Sequence, residues 1–155
     1  AYSDEKEMLR QVRASCYYTH HNREALTGAR AEALSVYMAH RGASKAEIRN
    51  AVSRISGYDL SASIESLRRV HVFNSRASYS VPPAIIAFLQ SQDYESAVRN
   101  AISLGGDADT QACIAGGIAE AFYREIPDRI KNFCRLRIDY AIRSVAERFE
   151  AVYGK

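Results

Sequence analysis

An all-α domain is what this chain predicts. Apolar residues recur at three- and four-residue spacing along almost its whole length, the period of a helix buried on one side. Glycines fall where helices would end, at Gly42, Gly57 and Gly105, and Pro82, Pro83 and Pro127 fit first-turn positions, where a missing N–H costs nothing. No β-hairpin signal flanked by alternating apolar residues is present, nor any internal repeat, linker or low-complexity tract.

The elements follow in order. Asp4 to Tyr18 reads as a first helix with Leu9, Val12 and Cys16 on one face. A second starts near Asn22 and carries Leu26, Ala29, Ala33, Val36, Tyr37 and His40 towards Gly42. Ser44-Lys45-Ala46-Glu47 is a capping box, in which the Ser44 hydroxyl and the Glu47 carboxylate satisfy orphan N–H groups at a helix start. That third helix presents Ile48, Val52 and Ile55 and stops at Gly57. A short fourth follows Asp59 with Leu60, Ile64 and Leu67. Arg68 to Tyr79 is the least regular stretch, and Val70-His71-Val72-Phe73 has the look of extended chain. Ser80 then caps a helix opened by Pro82 and Pro83 and apolar through Ile85, Ile86, Phe88 and Leu89. Asp93 caps the next, which ends at Leu104-Gly105; Asp109 caps another running to Arg124; Pro127 opens a final amphipathic pair reaching Tyr153.

Composition bounds the function. The chain has 155 residues, 47% hydrophobic and 25% charged, so residues 1–155 read as a single helical domain rather than a disordered segment. No apolar run reaches the roughly 18 residues a membrane span needs. Lys plus Arg is 21 against 18 for Asp plus Glu, a net +3 too small and too scattered to imply nucleic acid or an anionic membrane. Ala43-Ser44-Lys45-Ala46-Glu47-Ile48-Arg49 resembles the opening of a helix-turn-helix unit, but its recognition helix is not basic. Cys16, Cys113 and Cys134 are an odd set without CxxC or zinc-site spacing and read as free thiols in a reducing cytoplasm. The chain starts Ala1-Tyr2-Ser3, without Met, as expected of a processed chain or a fragment.

Gly105-Gly106-Asp107-Ala108-Asp109-Thr110 carries the chemistry. Two carboxylates and a hydroxyl converge where a loop enters a helix, and hard oxygens suit Mg²⁺, Mn²⁺ or Ca²⁺ rather than zinc. Two glycines let the backbone turn sharply and let a ligand come close. The plainer alternative is that Gly105-Gly106 ends one helix and Asp109 caps the next. The helix behind tips the balance: Ala112, Ala115, Gly116, Gly117, Ala119 and Ala121 make it small on nearly all sides, around a stripe of Ile114, Ile118 and Phe122. Two interior glycines cost about 1 kcal/mol each against Ala, and close packing against several neighbours is the natural compensation. Carboxylates so close should repel, each raising the other's pKa until a cation arrives. They are expected in an open acidic concavity.

Ala97 to Pro127, AVRNAISLGGDADTQACIAGGIAEAFYREIP, resembles the C-terminal metal-binding segment of the ADP-ribosylglycohydrolase family, which includes the dinitrogenase-reductase-activating glycohydrolases. SVPPAIIAFLQSQDYESA, YTHHNREALTGARAEALSVYMA and GYDLSASIESLR resemble the same family in the same order, so the likeness spans almost the whole chain. It implies a compact orthogonal helical bundle with two divalent cations, usually Mg²⁺ with Mn²⁺ as an alternative, lying in a cleft. It implies Asp107, Asp109 and Thr110 as metal ligands. Four more residues fall in the ADP-ribose cleft by the same likeness: His20, Ser80 in the Ser80-Val81-Pro82 turn, and Gly105 and Gly106. His20 and His21 also suit a simple passage between two helices, and Ser80 a simple N-cap. Family members carry an N-terminal half with a Thr-Asp-Asp-Thr box that supplies the other metal ligands, and that half also carries an acidic residue proposed to act in catalysis. This sequence has no Asp-Asp pair, and the usual His-x-His-Pro-like turn reads His20-His21-Asn22-Arg23.

The chain thus resembles the C-terminal half to two-thirds of the family domain, and its catalytic residue is expected in the absent part. The implied activity is metal-dependent removal of ADP-ribose from modified protein side chains or related compounds, with this chain supplying half of the metal site. Self-association, or pairing with the missing segment, would cover the exposed half-site. The competing reading is a non-catalytic helical module of the same descent.

Overall fold

The computed structural model describes residues 3–153. Among them are nine helices and no strand: α1 (Glu5–Cys16), α2 (Arg23–His40), α3 (Lys45–Ser56), α4 (Ile64–Val70), α5 (Ala77–Leu89), α6 (Tyr94–Ser103), α7 (Ala108–Tyr123), α8 (Asp128–Arg135) and α9 (Tyr140–Tyr153). The all-α class holds. The described residues divide into two compact units, residues 3–125 with α1–α7 and residues 126–153 with α8 and α9.

Local chemistry sets most helix starts in the first unit. Asp4 accepts from the backbone N–H groups of Lys6 and Glu7, and Asn22 from Ala25. Ser44 and Glu47 form the reciprocal capping box, while Gly57 closes α3 at φ 76°, a left-handed conformation that glycine adopts without steric penalty. Asp93 opens α6 by accepting from the Ser96 N–H.

Three starts differ from the sequence reading, each for a physical reason. The Asp59 carboxylate is engaged in a turn, accepting the Ser61 N–H at 2.9 Å and the Ser61 hydroxyl at 2.6 Å. Helix α4 therefore begins later, capped by Ser63, and Leu60 is buried outside it. Helix α5 begins a turn earlier than predicted, so Ser80 is a buried residue inside it and Pro82 and Pro83 lie in its interior. Its cap comes from another helix: Glu24 of α2 accepts the Ser78 N–H at 3.1 Å and the Ser78 hydroxyl at 2.6 Å. At the start of α7 it is Asp107 that holds the cap position and Asp109 lies within the first turn. The positive φ of Gly105 (72°) and Gly106 (67°) turns the chain directly before Asp107.

The core is built around α5, buried on nearly every side from Val81 to Leu89 except at Pro82. Two prolines inside a helix forfeit hydrogen bonds, at about 3 kcal/mol in an ordinary interior. Burial of Val81, Ala84, Ile85, Ile86, Phe88 and Leu89 outweighs that loss. Helix α7 packs against α2, α5 and α6 through Ile114, Ala115, Ile118 and Ala119, all buried. Phe122, expected in the core, is only half-buried and stands edge-on to Phe88 at 5.3 Å between ring centroids. Lys45 reaches across the end of α5, donating to the Ser91 carbonyl, with its ammonium 5.2 Å from the Phe88 ring centroid and 5.4 Å from that of Tyr123.

In the second unit α8 and α9 carry an Arg135–Glu150 ion pair of 3.7 Å and an Arg137 guanidinium stacked 3.4 Å over the Phe133 ring. Leu136, Ile142, Val145 and Phe149 are exposed.

The two interior glycines of α7 are not equivalent. A Cβ on Gly116 would meet the Tyr94 hydroxyl at 3.3 Å and Val98 Cγ2 at 3.5 Å, whereas one on Gly117 would meet nothing within 4 Å. Only Gly116 serves close packing. Gly116→Val should therefore destabilise by about 1–3 kcal/mol through overpacking, and Gly117→Ala should stabilise by about 0.5–1 kcal/mol through helix propensity. Urea unfolding midpoints of the two variants should move in opposite directions.

Candidate functional site

Three segments far apart in sequence enclose one groove of about 380 Å³. The approach to α2 and its first turn contribute His20, Asn22, Glu24 and Ala25; the start of α5 contributes Ser75, Arg76, Ala77, Ser80 and Val81; the start of α7 contributes Asp107, Thr110 and Ile114. His20, Ser80, Asp107 and Thr110, all assigned to one cleft by the family resemblance, line the same groove. Asp109, Gly105 and Gly106 lie on the same loop but outside the lining, and all three are exposed. Gly106 is backed by protein: a Cβ there would meet His71 Nε2 at 2.8 Å.

Each wall is held by polar contacts. Glu24 ties α2 to α5, accepting from Arg76 Nη2 at 2.7 Å and Arg76 Nε at 3.0 Å in addition to Ser78. These partners, Arg76 first and then the Ser78 hydroxyl and backbone N–H, hold the Glu24 carboxyl down at about 2. The same pairing pushes the Arg76 guanidinium up. His20 Nδ1 lies 2.9 Å from the Thr19 hydroxyl. Beside Glu24 a smaller hollow of about 270 Å³ is lined by Arg23, Glu24, Thr27 and Tyr58. Burial and the Glu24 charge both push the Tyr58 phenol up.

The carboxylates of the loop behave differently from simple mutual repulsion. Asp109 is held below the usual carboxylate range, first by the Thr110 N–H at 2.9 Å, then by a hydrogen bond with the Asp107 side chain, then by its own N–H. The expected upward shift is therefore reversed at Asp109: the hydrogen bonds from the Thr110 N–H, the Asp107 side chain and its own N–H all favour its charged form. Among the described residues neither Asp107 nor Asp109 pairs with an Arg or Lys. Of the two carboxylates expected in an acidic concavity only Asp107 lines the groove, and the groove is not uniformly acidic, since Arg76 offsets Glu24 within it.

As a donor set the loop offers two carboxylates, a hydroxyl and no soft ligand. That chemistry fits a hard divalent cation and falls short of a complete shell. Among the described residues no group of three or more His, Cys, Asp and Glu stands in metal-binding proximity. Cys16, Cys113 and Cys134 are free thiols.

The sequence profile of the ADP-ribosylglycohydrolase family matches residues 1–155. The chain belongs to the ADP-ribosylglycohydrolase family. ADP-ribosylhydrolase ARH3 of Homo sapiens is 26% identical to it in an alignment 183 positions long that covers 86% of this chain and 50% of that protein. The chain therefore spans about half the length of the curated relative it matches.

Two groove residues of this ADP-ribosylglycohydrolase-family chain, Glu24 and Arg76, and one residue behind the groove, Gln111, had no sequence signal. Glu24 and Arg76 are 52 positions apart, and nothing local marks either as the other's partner. Gln111, fully buried behind the loop, reads from sequence as one more polar residue on a small-residue helix.

Glu24 makes the groove wall acid-sensitive in a definite sense. A carboxyl depressed in the folded state contributes stability that is full above its unfolded pKa and is lost as pH falls through the folded value. The stability difference between wild type and Glu24→Gln should be full above about pH 4.5, the ordinary carboxylate value, and vanish as pH falls to about 2. Urea unfolding across that range should show the two curves converging at the acid end.

Proposed function

We infer that this chain supplies the C-terminal half of a metal-dependent ADP-ribosyl hydrolase site, acting on ADP-ribosylated protein side chains or related ADP-ribosyl compounds. The observation that carries the reading is the meeting of His20, Ser80, Asp107 and Thr110 in one groove. Family membership supports the substrate class, an ADP-ribose-type ligand.

In this reading Asp107, Asp109 and Thr110 hold Mg²⁺, two ions in the complete site, with Mn²⁺ as an alternative. The bound ions supply Lewis-acid polarisation of ribose oxygens and of water. The residues of this chain do the rest of the positioning. Asp107 and Asp109 provide the negative charge that draws a cation to the mouth of α7, and Thr110 adds a neutral oxygen that fixes its direction. Ser80 presents a small polar group beside the ribose, and His20 lines the far edge of the cleft. Gly105 and Gly106 shape the turn that aims Asp107. In this reading the remaining ligands belong to a Thr-Asp-Asp-Thr box, and the catalytic acidic residue to the same N-terminal half of the family domain; this sequence holds no such box, so the chain alone should bind metal weakly. Three free thiols fit a reducing compartment such as the cytoplasm, and among the described residues no helix is long and apolar enough to cross a membrane.

A second reading, a non-catalytic helical module of the same family, is favoured by the incomplete donor set. Metal dependence separates the two. A ligand that binds only the native state stabilises it by about 2.7 kcal/mol at a hundredfold excess over Kd. Mg²⁺ or Mn²⁺ should raise the melting temperature weakly in this chain, and clearly in a protein carrying both halves of the site. Asp109→Asn should abolish the effect in both, because it removes one charge and keeps the shape. The two-half protein should release ADP-ribose from a modified substrate. No metal-dependent shift and no release, with Asp109→Asn melting like wild type, would leave the module reading.

A further inference from the structure

Behind the cation loop lies a polar contact that the groove itself does not use. Gln111, on the first turns of α7, is fully buried. Its Nε2 lies 3.0 Å from the Gly105 carbonyl and 3.0 Å from His71 Nε2. The carbonyl can only accept, so Nε2 is the amide nitrogen, and both of its hydrogens are spent: one on Gly105, one on His71, whose Nε2 must be the acceptor. Gln111 Oε1 is buried without a partner. A buried amide with an orphaned oxygen costs free energy that an apolar side chain of the same size would not. The amide's contribution therefore lies on its donor side.

That donor side joins two walls. Gly105 and Gly106 are consecutive left-handed residues, and Gly106 is wedged so close to His71 that a Cβ would meet its Nε2 at 2.8 Å and the Val72 carbonyl oxygen at 3.4 Å. Past His71 the chain runs without helix until α5, and this stretch supplies Ser75 and Arg76 to the opposite wall of the groove. We propose that Gln111 and His71 are positioning residues that lock the Gly105–Gly106 turn to the 71–76 segment, so that the aim of Asp107 and the order of the facing wall are set together. The consequence for cation affinity rests on the hydrolase-site reading; the coupling itself rests on this geometry alone.

NMR on this chain tests both parts. Gln111→Met keeps the volume and removes both amide heteroatoms; His71→Leu breaks the same link from its half-buried end, should the first variant fold poorly. In metal-free protein each variant should lower backbone order in both 71–76 and 105–107, from about 0.85 towards 0.6 or below, while α3 stays rigid. In a Mg²⁺ titration of wild type, the His71 ring and the 72–76 amides should shift along with 105–110. In the variants the 72–76 response should disappear and Mg²⁺ should bind about fivefold more weakly, as loss of one buried hydrogen bond predicts. Loosening confined to the substituted segment overturns the coupling, as does a 72–76 response retained in Gln111→Met. Absence of any Mg²⁺ response in wild type sinks the cation reading instead, and the metal-free order parameters then decide the coupling by themselves.

Discussion

The packing of α5 and α7 against one another and against α2 is the constraint on which everything else in the first unit depends. Helix α5 is buried almost all round, so its neighbours must approach it on several sides, and α7 can do so because alanine and Gly116 occupy its contact face. Interiors packed at crystal-like density deform little. The first turn of α7 is therefore held on a rigid base, and with it Asp107, Thr110 and the loop that precedes them. A groove assembled from the starts of α2, α5 and α7 inherits that rigidity although its walls are turns.

Polar contacts at those helix starts complete what packing begins. Glu24 answers the open N–H groups of α5 from another helix and gathers Arg76 beside it. Gln111 answers the Gly105 carbonyl from behind the glycine turn. Both are side chains satisfying backbone groups outside their own helix, Glu24 one that is 54 residues away and lines the groove, Gln111 one that is six residues away behind it. The orientation of the candidate ligands is thus a property of several elements at once. A change at Gln111, which lies outside the groove lining, reaches the site without touching it, whereas Glu24 is part of the wall itself.

What was legible in the sequence follows from where each interaction is made. Caps within four residues of their helix, such as Asp4, Asn22, Ser44 and Asp93, were readable because their chemistry is local. The Gly-Gly-Asp-Ala-Asp-Thr loop was readable because its residue types and spacing are unusual for a plain helix start. The start of α5 was misread because its cap, Glu24, is supplied from another helix, leaving Pro82 and Pro83 as the strongest local signals in the wrong place. Gly117 was credited with a packing role that only its neighbour plays, since composition alone does not say which side of a helix faces inward. The lowered carboxyl of Asp109 was likewise hidden, because the hydrogen bonds that favour its charged form appear only once the helix start is placed.

The central claim of the proposed function is that the segment opening α7 is a cation site beside the groove that His20 and Ser80 line. Anomalous diffraction from crystals of this chain soaked in Mn²⁺ tests it most directly. The account predicts a Mn²⁺ peak within bonding distance of Asp107, Asp109 and Thr110 oxygens, and no peak there in Asp109→Asn crystals soaked alike. A well-occupied peak elsewhere with none at this loop, or one that persists unchanged in Asp109→Asn, would contradict it.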